Sequence, residues 1–381
     1  MKILLLVSSM HAGGAERVAA TLASAWSLRG DAVTLVATFT GGGTCFYSLA
    51  PAVELMWLAD DPRVKGGPLS KRLRKLRALR RLVRERQPDV IVSFLTNVNV
   101  VALLSTRGLG VPVIVCERTN PAAGTSIGWP LRWLRRLTYP WASLVTVQAQ
   151  DSVRALRDVV ARPRAVGVVP NPLPPELPDM PLAARVPAMH GRLRLAAMGR
   201  LVPPKRFDWL IRAFAEVAGE FPAWDVVIWG EGPLRGALTA QVREAGLVDR
   251  VFLPGLTTDP WRALSQSHAF ALVSSVEGFP NALLEAMALG LPCIATDCPS
   301  GPREISQAGR DALLVPMSDH AALTAGLRRL LGDEILRDGM ARRAAVSVRQ
   351  RYSLPVVLAV WDALMARAGV SPSEAQGDRP R

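Results

Sequence analysis

The sequence predicts an α/β protein with two doubly wound parallel-sheet domains that face each other across a cleft. Short apolar runs of strand character alternate with helical patterns in residues 1–171, and the same alternation starts again at residue 192. A proline-rich stretch, residues 172–191, separates the two series and has the composition of a linker. With 381 residues the chain is long enough for two domains. Because strands that alternate with helices form parallel sheets, both series predict the same architecture.

The composition restricts the classes of partner and compartment. The chain is 49% hydrophobic and 20% charged, with a net charge of +14, which suits nucleic acid, anionic membranes or phosphorylated substrates. Its four cysteines show no C-x-x-C spacing, which favours buried thiols in a reducing compartment. The run Ile3–Val7 is too short for a secretory signal, and no stretch approaches the roughly 20 apolar residues of a membrane span. We therefore expect a cytoplasmic protein, with attachment to a membrane surface left open.

The first domain, residues 1–171, begins with a βαβ pattern. A buried strand at Met1–Val7 leads through Gly13 and Gly14 to an alanine-rich helix ending near Arg29. The pattern lacks the full G-x-G-x-x-G spacing and the acidic residue of a dinucleotide site, so a dehydrogenase is disfavoured. Gly14 either lets the backbone approach a ligand or forms a plain tight turn. The other strands are predicted at Asp31–Thr38, Val53–Leu58, Val90–Phe94, Val111–Glu117, Leu144–Val147 and Val166–Val169.

The second domain, residues 192–351, repeats the alternation. Its strands are predicted at Leu193–Met198, Asp225–Trp229, Val251–Leu253, Ala269–Val273, Pro292–Ala295 and Ala312–Val315. Its helices are predicted at about Phe207–Glu220, Leu234–Gly246, Asn281–Leu289 and Asp319–Leu331. A last helix, residues 354–368, is expected to pack back on the first domain, and the polar tail 371–381 is expected to be disordered.

The stretch V-E-G-F-P-N-A-L-L-E, from Val276 to Glu285, carries the strongest functional pattern. A strand-like run precedes it, and Pro280 suits the first turn of the helix that follows. The helix N-terminus favours a phosphate, and the carboxylates of Glu277 and Glu285 can only accept hydrogen bonds, for example from hydroxyl groups. Together these features suit a nucleotide sugar, whereas the pattern by itself also fits a helix with two surface glutamates.

Cations and glycines follow the other strands of the second domain. Gly199, Arg200 and Lys205 come after its first strand, where an arginine can fork onto phosphate oxygens and a lysine can act as a point charge. The other interpretation is two solvated surface cations. Gly230 and Gly255 follow the next two strands, in loops that either hold a base through backbone groups or are ordinary turns.

Several of these segments together resemble the family 4 glycosyltransferases. The resemblance rests on G-R-L…K at Gly199–Lys205, G-E-G-P at Gly230–Pro233, E-G-F-P-N-A-L-L-E at Glu277–Glu285, D-A-L-L-V-P at Asp311–Pro316 and the N-terminal S-S-M-H-A-G-G-A-E-R-V. It covers nearly the whole chain and implies the GT-B fold, two Rossmann-like domains, with retention of the anomeric configuration. C-E-R-T-N-P at Cys116–Pro121 and P-S-G-P-R-E-I at Pro299–Ile305 resemble members that extend undecaprenyl-diphosphate-linked oligosaccharides, often from UDP-N-acetylhexosamines.

The resemblance implies roles for individual residues. Arg200 and Lys205 would hold the donor diphosphate, and Glu277 would accept hydrogen bonds from the donor sugar. The remaining donor contacts would come from Gly14, Gly199, Gly230, Gly255, Gly278, Phe279, Pro280, Asn281 and Glu285, with Glu285 at the ribose hydroxyls. Many relatives have a histidine where this chain has Glu117 and Arg118, so a catalytic histidine is not expected there, and the role of His11 stays open.

The expected chemistry is sugar transfer without a cofactor or a divalent metal. Negative charge grows on the UDP phosphate as the glycosidic bond breaks, and fixed cations stabilise it. No Asp-x-Asp motif occurs in the sequence, and Arg200 and Lys205 would take the metal's part. We assign no carboxylate nucleophile; for this family, a front-face route is the usual proposal.

The acceptor side is predicted from basic, tryptophan-containing segments. Residues 71–84 form a helical pattern without acidic residues, in which Leu69, Leu73, Leu76 and Val83 recur on one side. With Arg72 and Lys75 on this helix and Trp133 in W-P-L-R-W-L-R-R-L, the composition is typical of a membrane interface. Together with His11, Glu117 and Arg118, these residues are assigned to the acceptor or membrane side. Both segments also fit core helices with solvated basic faces.

We therefore expect a transferase on the inner face of the cell membrane, with a UDP-sugar donor and a polyprenyl-diphosphate-linked acceptor. The alternatives are a soluble glycosyltransferase with a non-lipid acceptor, a UDP-sugar epimerase and, more distantly, a basic nucleic-acid-binding protein. The sequence has no helix-turn-helix, zinc or RNP signature, so no nucleic-acid partner is expected.

Overall fold

The computed structural model describes residues 1–41, 43, 45–64, 68–122, 127–178 and 191–370. The chain divides into two compact units: unit 1 is Met1–Asn171 with Val357–Arg381, and unit 2 is Pro172–Val356. Most of the predicted linker, residues 179–190, and the whole predicted tail, residues 371–381, lie outside the described residues.

Unit 1 contains a seven-stranded, wholly parallel sheet in the order β3-β2-β1-β4-β5-β6-β7. Its strands are β1 Lys2–Val7, β2 Ala32–Ala37, β3 Glu54–Trp57, β4 Val90–Phe94, β5 Val113–Cys116, β6 Leu144–Val147 and β7 Val166–Val168. Its helices are α1 Gly14–Leu28, α2 Pro68–Arg86, α3 Thr96–Thr106, α4 Trp129–Thr138 and α5 Asp151–Val159, with short 3-10 turns at Leu58–Asp60, Pro62–Val64 and Tyr139–Trp141. All seven predicted strands are present. The strands β4, β5 and β6 are buried along their whole length, which is typical of continuous apolar runs in a parallel sheet.

Helices cover both faces of this sheet. On one face, the core contains α1 and residues of the C-terminal helix, where Trp26 and Trp361 meet edge to face at 5.5 Å between ring centroids. On the other face, the core contains residues of α2, α3 and α5. Among the described residues, no helix has both the length and the apolar character that crossing a bilayer requires.

Unit 2 contains a six-stranded parallel sheet in the order β10-β9-β8-β11-β12-β13. Its strands are β8 Leu193–Met198, β9 Trp224–Trp229, β10 Val251–Gly255, β11 Ala269–Leu272, β12 Cys293–Thr296 and β13 Leu313–Val315. Its helices are α6 Phe207–Val217, α7 Arg235–Glu244, α8 Pro260–Ser265, α9 Asn281–Ala288, α10 Pro302–Ile305, α11 His320–Gly332 and α12 Glu334–Tyr352, and α13 Leu354–Arg367 follows. The six strands match the prediction, whereas α8, α10 and the long α12 were not predicted.

Each sheet is doubly wound, which confirms the predicted fold class. The strand order reverses between β1 and β4 in unit 1 and between β8 and β11 in unit 2. Parallel sheets of this kind bind ligands beyond the carboxyl ends of the strands at such a reversal. In unit 2 this point lies between β8, whose following loop carries Arg200 and Lys205, and β11, whose following loop carries Glu277.

Candidate functional site

The two charged loops of unit 2 meet because β8 and β11 are neighbours. Ala269 of β11 pairs with Leu195 of β8, so both loops leave the same edge of the sheet. The Nζ atom of Lys205 lies 2.6 Å from Oε1 of Glu277. The backbone N–H of Ser275 also donates to the carbonyl oxygen of Pro204 at 2.8 Å. The structure therefore brings together a cation and a carboxylate that the sequence placed far apart.

Glycines allow the adjacent loops to pack closely at this edge. Gly230 has a φ of +144°, and a Cβ atom added there would lie 1.9 Å from the carbonyl oxygen of Gly199. The N–H of Gly230 donates to the carbonyl oxygen of Gly255, and the N–H of Gly199 donates to that of Trp229. Gly255 has a φ of +96°, which also favours glycine. The glycines predicted to contact the donor thus join the loops after β8, β9 and β10.

The segment after β11 turns tightly into α9. Pro280 is the N-cap residue of α9 and no side chain caps the helix, which begins at Asn281. Phe279 is buried with its ring edge against Tyr352, 5.3 Å between centroids, so its side chain packs the interior. A Cβ atom on Gly301, whose φ is +104°, would lie 2.6 Å from Cδ of Pro280. Phe279 and Pro280 are therefore closely packed in the turn before α9. The N-terminus of this helix provides partial positive charge.

Glu285 lies on α9 and is only 2% exposed. The indole Nε1–H of Trp261, on α8, donates to its Oε2 atom at 3.1 Å. This contact fixes one carboxylate oxygen. Sequence reasoning missed Trp261, because no motif links this tryptophan to a glutamate 24 residues later.

Arg200 lies at the surface, in the loop that follows β8. Its side chain is exposed and forms no ion pair with any residue that the structure describes. The edge of unit 2 therefore presents an exposed guanidinium, a lysine–glutamate pair and a helix N-terminus. Such a set can hold an anionic diphosphate and accept hydrogen bonds from hydroxyl groups.

In unit 1, the glycine turn after β1 is held by a tyrosine. The hydroxyl of Tyr47 accepts from the N–H of Gly13 at 2.9 Å and donates to its carbonyl oxygen at 2.8 Å. Gly14 is the first residue of α1, and His11 is exposed in the preceding loop. Tyr47 was not singled out in the sequence, because its pairing with Gly13 depends on the fold.

Glu117 does not lie on a membrane-facing surface, so that part of its assignment is wrong. The carboxylate is buried and accepts hydrogen bonds from Thr96 and from the Tyr139 hydroxyl, the latter at 2.5 Å. Nη1 of Arg135 lies 3.8 Å away. Burial raises the pKa of Glu117, although these hydrogen bonds and the Arg135 charge lower it in part. Glu117 is thus the centre of a buried polar network in unit 1.

Arg118 is buried as well, and its assignment to a membrane surface is equally wrong. Its guanidinium stacks over Phe94 at 4.3 Å and donates to Oδ1 of Asn171 at 2.5 Å. Gln148 donates to the same oxygen. Burial lowers the pKa of Arg118 to about 10, so the group stays charged at neutral pH.

On α2, the prediction that Leu73 faces the core and Lys75 faces solvent is also wrong. Val83 is buried, as predicted, and the side chain of Leu69 lies outside the described residues. Lys75 is buried with its ammonium 4.1 Å above the Phe39 ring, whereas Leu73 is exposed. Arg80 donates to the carbonyl oxygens of Ser105 and Arg107 at the end of α3. Arg72 is exposed, as predicted for a surface cation. Part of the basic run therefore stabilises unit 1 itself.

The α4 helix presents an apolar ridge to solvent. Trp129 is 78% exposed and Trp133 58% exposed, and Leu137, one turn further, is also exposed. Arg132 and Arg136 flank this ridge and are exposed. Trp133 is thus on the surface, as its assignment to the membrane side requires.

Family models match both halves of the chain. Residues 13–172 match a model described as a glycosyl transferase 4-like domain, and residues 192–333 match one described as glycosyl transferases group 1. An exopolysaccharide phosphotransferase of Streptomyces coelicolor is 36% identical over 170 residues, covering 43% of this chain but only 18% of the relative's length.

Full-length similarity is found with a Campylobacter jejuni enzyme and with a solved structure. The GalNAc-α-(1→4)-GalNAc-α-(1→3)-diNAcBac-PP-undecaprenol α-1,4-N-acetyl-D-galactosaminyltransferase of C. jejuni is 28% identical, with 90% of this chain and 92% of that protein covered. Anabaena HepE, solved in complex with UDP and glucose, superposes with a TM-score of 0.79 at 19% identity, over 96% of this chain and all of that one. The two model matches span most of the chain and agree with the observed sheets. We conclude that the chain belongs to the family 4 glycosyltransferases and is a hexosyltransferase of GT-B type.

Proposed function

We propose that this enzyme moves a hexose or N-acetylhexosamine from a UDP-sugar to a polyprenyl-diphosphate-linked glycan, with retention of the anomeric configuration. The observation that carries the proposal is the 2.6 Å contact between Lys205 and Glu277 beside the N-terminus of α9. One group suits the diphosphate and the other suits sugar hydroxyls. A UDP-sugar has both a diphosphate and sugar hydroxyls, so it fits the Lys205–Glu277 pair.

The donor proposal rests on unit 2. Arg200 and Lys205 would bind the diphosphate, Glu277 the sugar and Glu285 the ribose. HepE, which shares the fold, was solved with UDP and glucose, and this supports UDP as the nucleotide. The acceptor proposal is supported by the C. jejuni relative, whose name describes an undecaprenyl-diphosphate-linked substrate.

In the proposed reaction, the bond between the anomeric carbon and the UDP oxygen breaks as the acceptor hydroxyl attacks on the same face. The leaving phosphate takes the acceptor's proton. Arg200, Lys205 and the N-terminus of α9 stabilise the charge that develops on UDP, so the reaction needs no divalent metal. Fixed positive groups contribute most where charge grows in the transition state.

We further propose that unit 1 brings the enzyme to the inner face of an anionic membrane. Trp129, Trp133 and Leu137 would enter the headgroup region, where tryptophan side chains are favoured, while Arg132 and Arg136 contact lipid phosphates. A polyprenyl acceptor is held in the bilayer, so surface attachment raises its local concentration.

The reaction is tested by incubating the protein with radiolabelled UDP-sugars and membrane lipid extract, with and without EDTA. We expect label to enter a lipid-linked product in both conditions, and NMR of that product to show the donor's anomeric configuration. Label transferred only to a water-soluble acceptor would favour the soluble transferase. An epimerised UDP-sugar formed without acceptor would favour the epimerase, and inhibition by EDTA that Mg²⁺ or Mn²⁺ reverses would contradict the metal-free reaction.

The membrane proposal is tested by vesicle co-sedimentation at low salt. Replacing Trp129 and Trp133 by serine should reduce binding to vesicles that contain phosphatidylglycerol. Phe252 and Leu256, exposed hydrophobic residues of unit 2, provide a matched control when both are replaced by serine. Equal binding by wild type and the tryptophan variant would refute attachment through α4, and tight binding to duplex DNA or RNA without sugar transfer would support the nucleic-acid alternative.

A further inference from the structure

Unit 1 contains a strongly basic cavity that the proposed reaction does not use. It is an open cavity of about 450 Å³. Eight of the described residues line it, including Arg157, Arg162, Arg164, Ala165 and Arg367. Four of these eight residues are arginines, contributed by the end of α5, by the segment that enters β7 and by the end of α13.

The cavity lies at the edge of the sheet opposite the glycine turn. Arg164 and Ala165 immediately precede β7, so they lie at its amino-terminal end. Gly13 and Gly14 follow the carboxyl-terminal end of β1 in the same parallel sheet. The cavity is therefore separate from the carboxyl-terminal edge at which doubly wound sheets bind their substrates.

The arginines around the cavity have no carboxylate partner within the described ranges of the chain. No ion pair joins Arg157, Arg162 or Arg164 to an acidic residue among those that the structure describes. Arg367 donates to the carbonyl oxygen of Val166 at 3.4 Å and likewise has no acidic ion-pair partner in the described part of the chain. By contrast, the exposed Arg328 of unit 2 pairs with Glu220 at 2.7 Å. Like charges gathered around one concavity repel one another, and a bound anion would offset this repulsion.

We propose that this cavity binds a multivalent phosphate group, such as a free diphosphate or the phosphate of a lipid headgroup. Each guanidinium can donate to two phosphate oxygens. Four guanidinium groups therefore suit a ligand with many oxygens and several negative charges better than a monovalent anion. The volume is within the range of about 300–1,000 Å³ typical of small-ligand sites. The ligand class follows from the shape and charge of this cavity alone, whether or not the donor is a UDP-sugar.

The position of Arg157 at the end of a helix also has an explanation that does not involve a ligand, and this determines the choice of control arginines. Arg157 is in the last turn of α5, where a cation also complements the helix dipole. Arg243 and Arg329 occupy the last turns of α7 and α11, are exposed, and have no ion pair among the described residues. They match Arg157 in charge and local setting but are not part of the cavity wall.

The test is isothermal titration calorimetry with inorganic diphosphate, using the full chain at low ionic strength. We compare wild type, Arg157→Gln/Arg164→Gln and the control Arg243→Gln/Arg329→Gln. All three proteins keep Arg200, Lys205 and Glu277, so any diphosphate bound there contributes equally. We expect the cavity variant to lose one binding event or to bind at least about tenfold more weakly, and the control to stay near wild type. An Arg157→Lys/Arg164→Lys variant should retain part of the affinity.

Two results would overturn the proposal. One is equal diphosphate binding by wild type and the cavity variant. The other is an equal loss in the control variant, which would mean that net charge alone matters. Co-sedimentation with vesicles that contain phosphatidic acid then distinguishes the sources of the phosphate: a parallel loss in the cavity variant supports a lipid headgroup, and unchanged vesicle binding supports a free phosphate compound.

Discussion

Lys205 and Glu277 are 72 residues apart in the sequence, yet their charged atoms lie 2.6 Å apart at the carboxyl-terminal edge of the unit 2 sheet. In this arrangement the two charges neutralise each other. An anionic diphosphate would attract Lys205 and leave Glu277 to accept hydrogen bonds from sugar hydroxyls. The pair therefore holds both groups in place before the donor binds.

Replacing Lys205 and replacing Glu277 should have different effects on UDP binding. Lys205→Met should weaken UDP binding and reduce transfer by about 10²–10³-fold, since it removes a charge that stabilises the leaving group. Glu277→Gln should reduce transfer to a similar extent but leave UDP binding unchanged or tighter, because Lys205 loses a competing partner. Calorimetry with UDP and steady-state kinetics measure the two effects. Glu220→Gln, which breaks an exposed ion pair with Arg328, is the control. Near-normal turnover in both Lys205→Met and Glu277→Gln would contradict the site.

Trp261 should act as a positioning residue for Glu285. Trp261→Phe removes the hydrogen bond that orients the carboxylate. We expect UDP binding to weaken by roughly three- to tenfold, or about 0.7–1.4 kcal/mol, because Glu285 itself is still present. Binding of 2′,3′-dideoxy-UDP should not respond, because that ligand has no ribose hydroxyls for Glu285 to bind. The control variant is Trp209→Phe on α6, which changes a tryptophan in the same way but keeps the hydrogen bond from Trp261 to Glu285. An equal loss of affinity for both ligands would indicate general damage rather than positioning.

Gly230 should not tolerate a side chain. Gly230→Ala would place Cβ 1.9 Å from the carbonyl oxygen of Gly199 at a φ of +144°, and we expect a loss of at least about 2 kcal/mol in the free energy of unfolding. Gly236, the second residue of α7, has no atom within 4 Å of an added Cβ. Gly236→Ala should stabilise unit 2 by about 0.5–1 kcal/mol. Thermal and urea unfolding compare the two, and equal stabilities would contradict the close packing of these loops.

The buried Glu117 should make stability depend on pH. Burial raises its pKa above the ordinary value of 4.5, so the folded chain binds this proton more tightly than the unfolded chain. This group's contribution to stability is therefore fully present below pH 4.5 and falls as the pH rises towards the folded-state pKa. Glu117→Gln should remove that dependence, so the variant should become more stable relative to wild type as the pH rises. Thermal unfolding between pH 4 and 8 tests this, and a constant difference between the two proteins would rule it out.

The pattern of apolar residues distinguishes α6, which was predicted from the sequence, from α12, which was not. The helix α6 was predicted because apolar residues recur on one side, whereas the 19-residue α12 was not predicted. Its buried face consists largely of alanines and serine, such as Ala341, Ala344 and Ser347, which carry a weak periodic signal. The error on α2 has a different cause: the aliphatic stem and ammonium of Lys75 occupy a buried position over Phe39, whereas Leu73 is exposed.

The sequence by itself determined the two parallel sheets, the loops that carry Arg200, Lys205 and Glu277, and the family. These features depend on local periodicity, on glycine and proline positions and on the order of motifs along the chain. Only the tertiary structure decided that Lys205 meets Glu277, that Trp261 holds Glu285 and that Glu117 and Arg118 are buried. Such contacts depend on which strands are neighbours in a sheet, and strand order arises from packing between residues far apart in the chain.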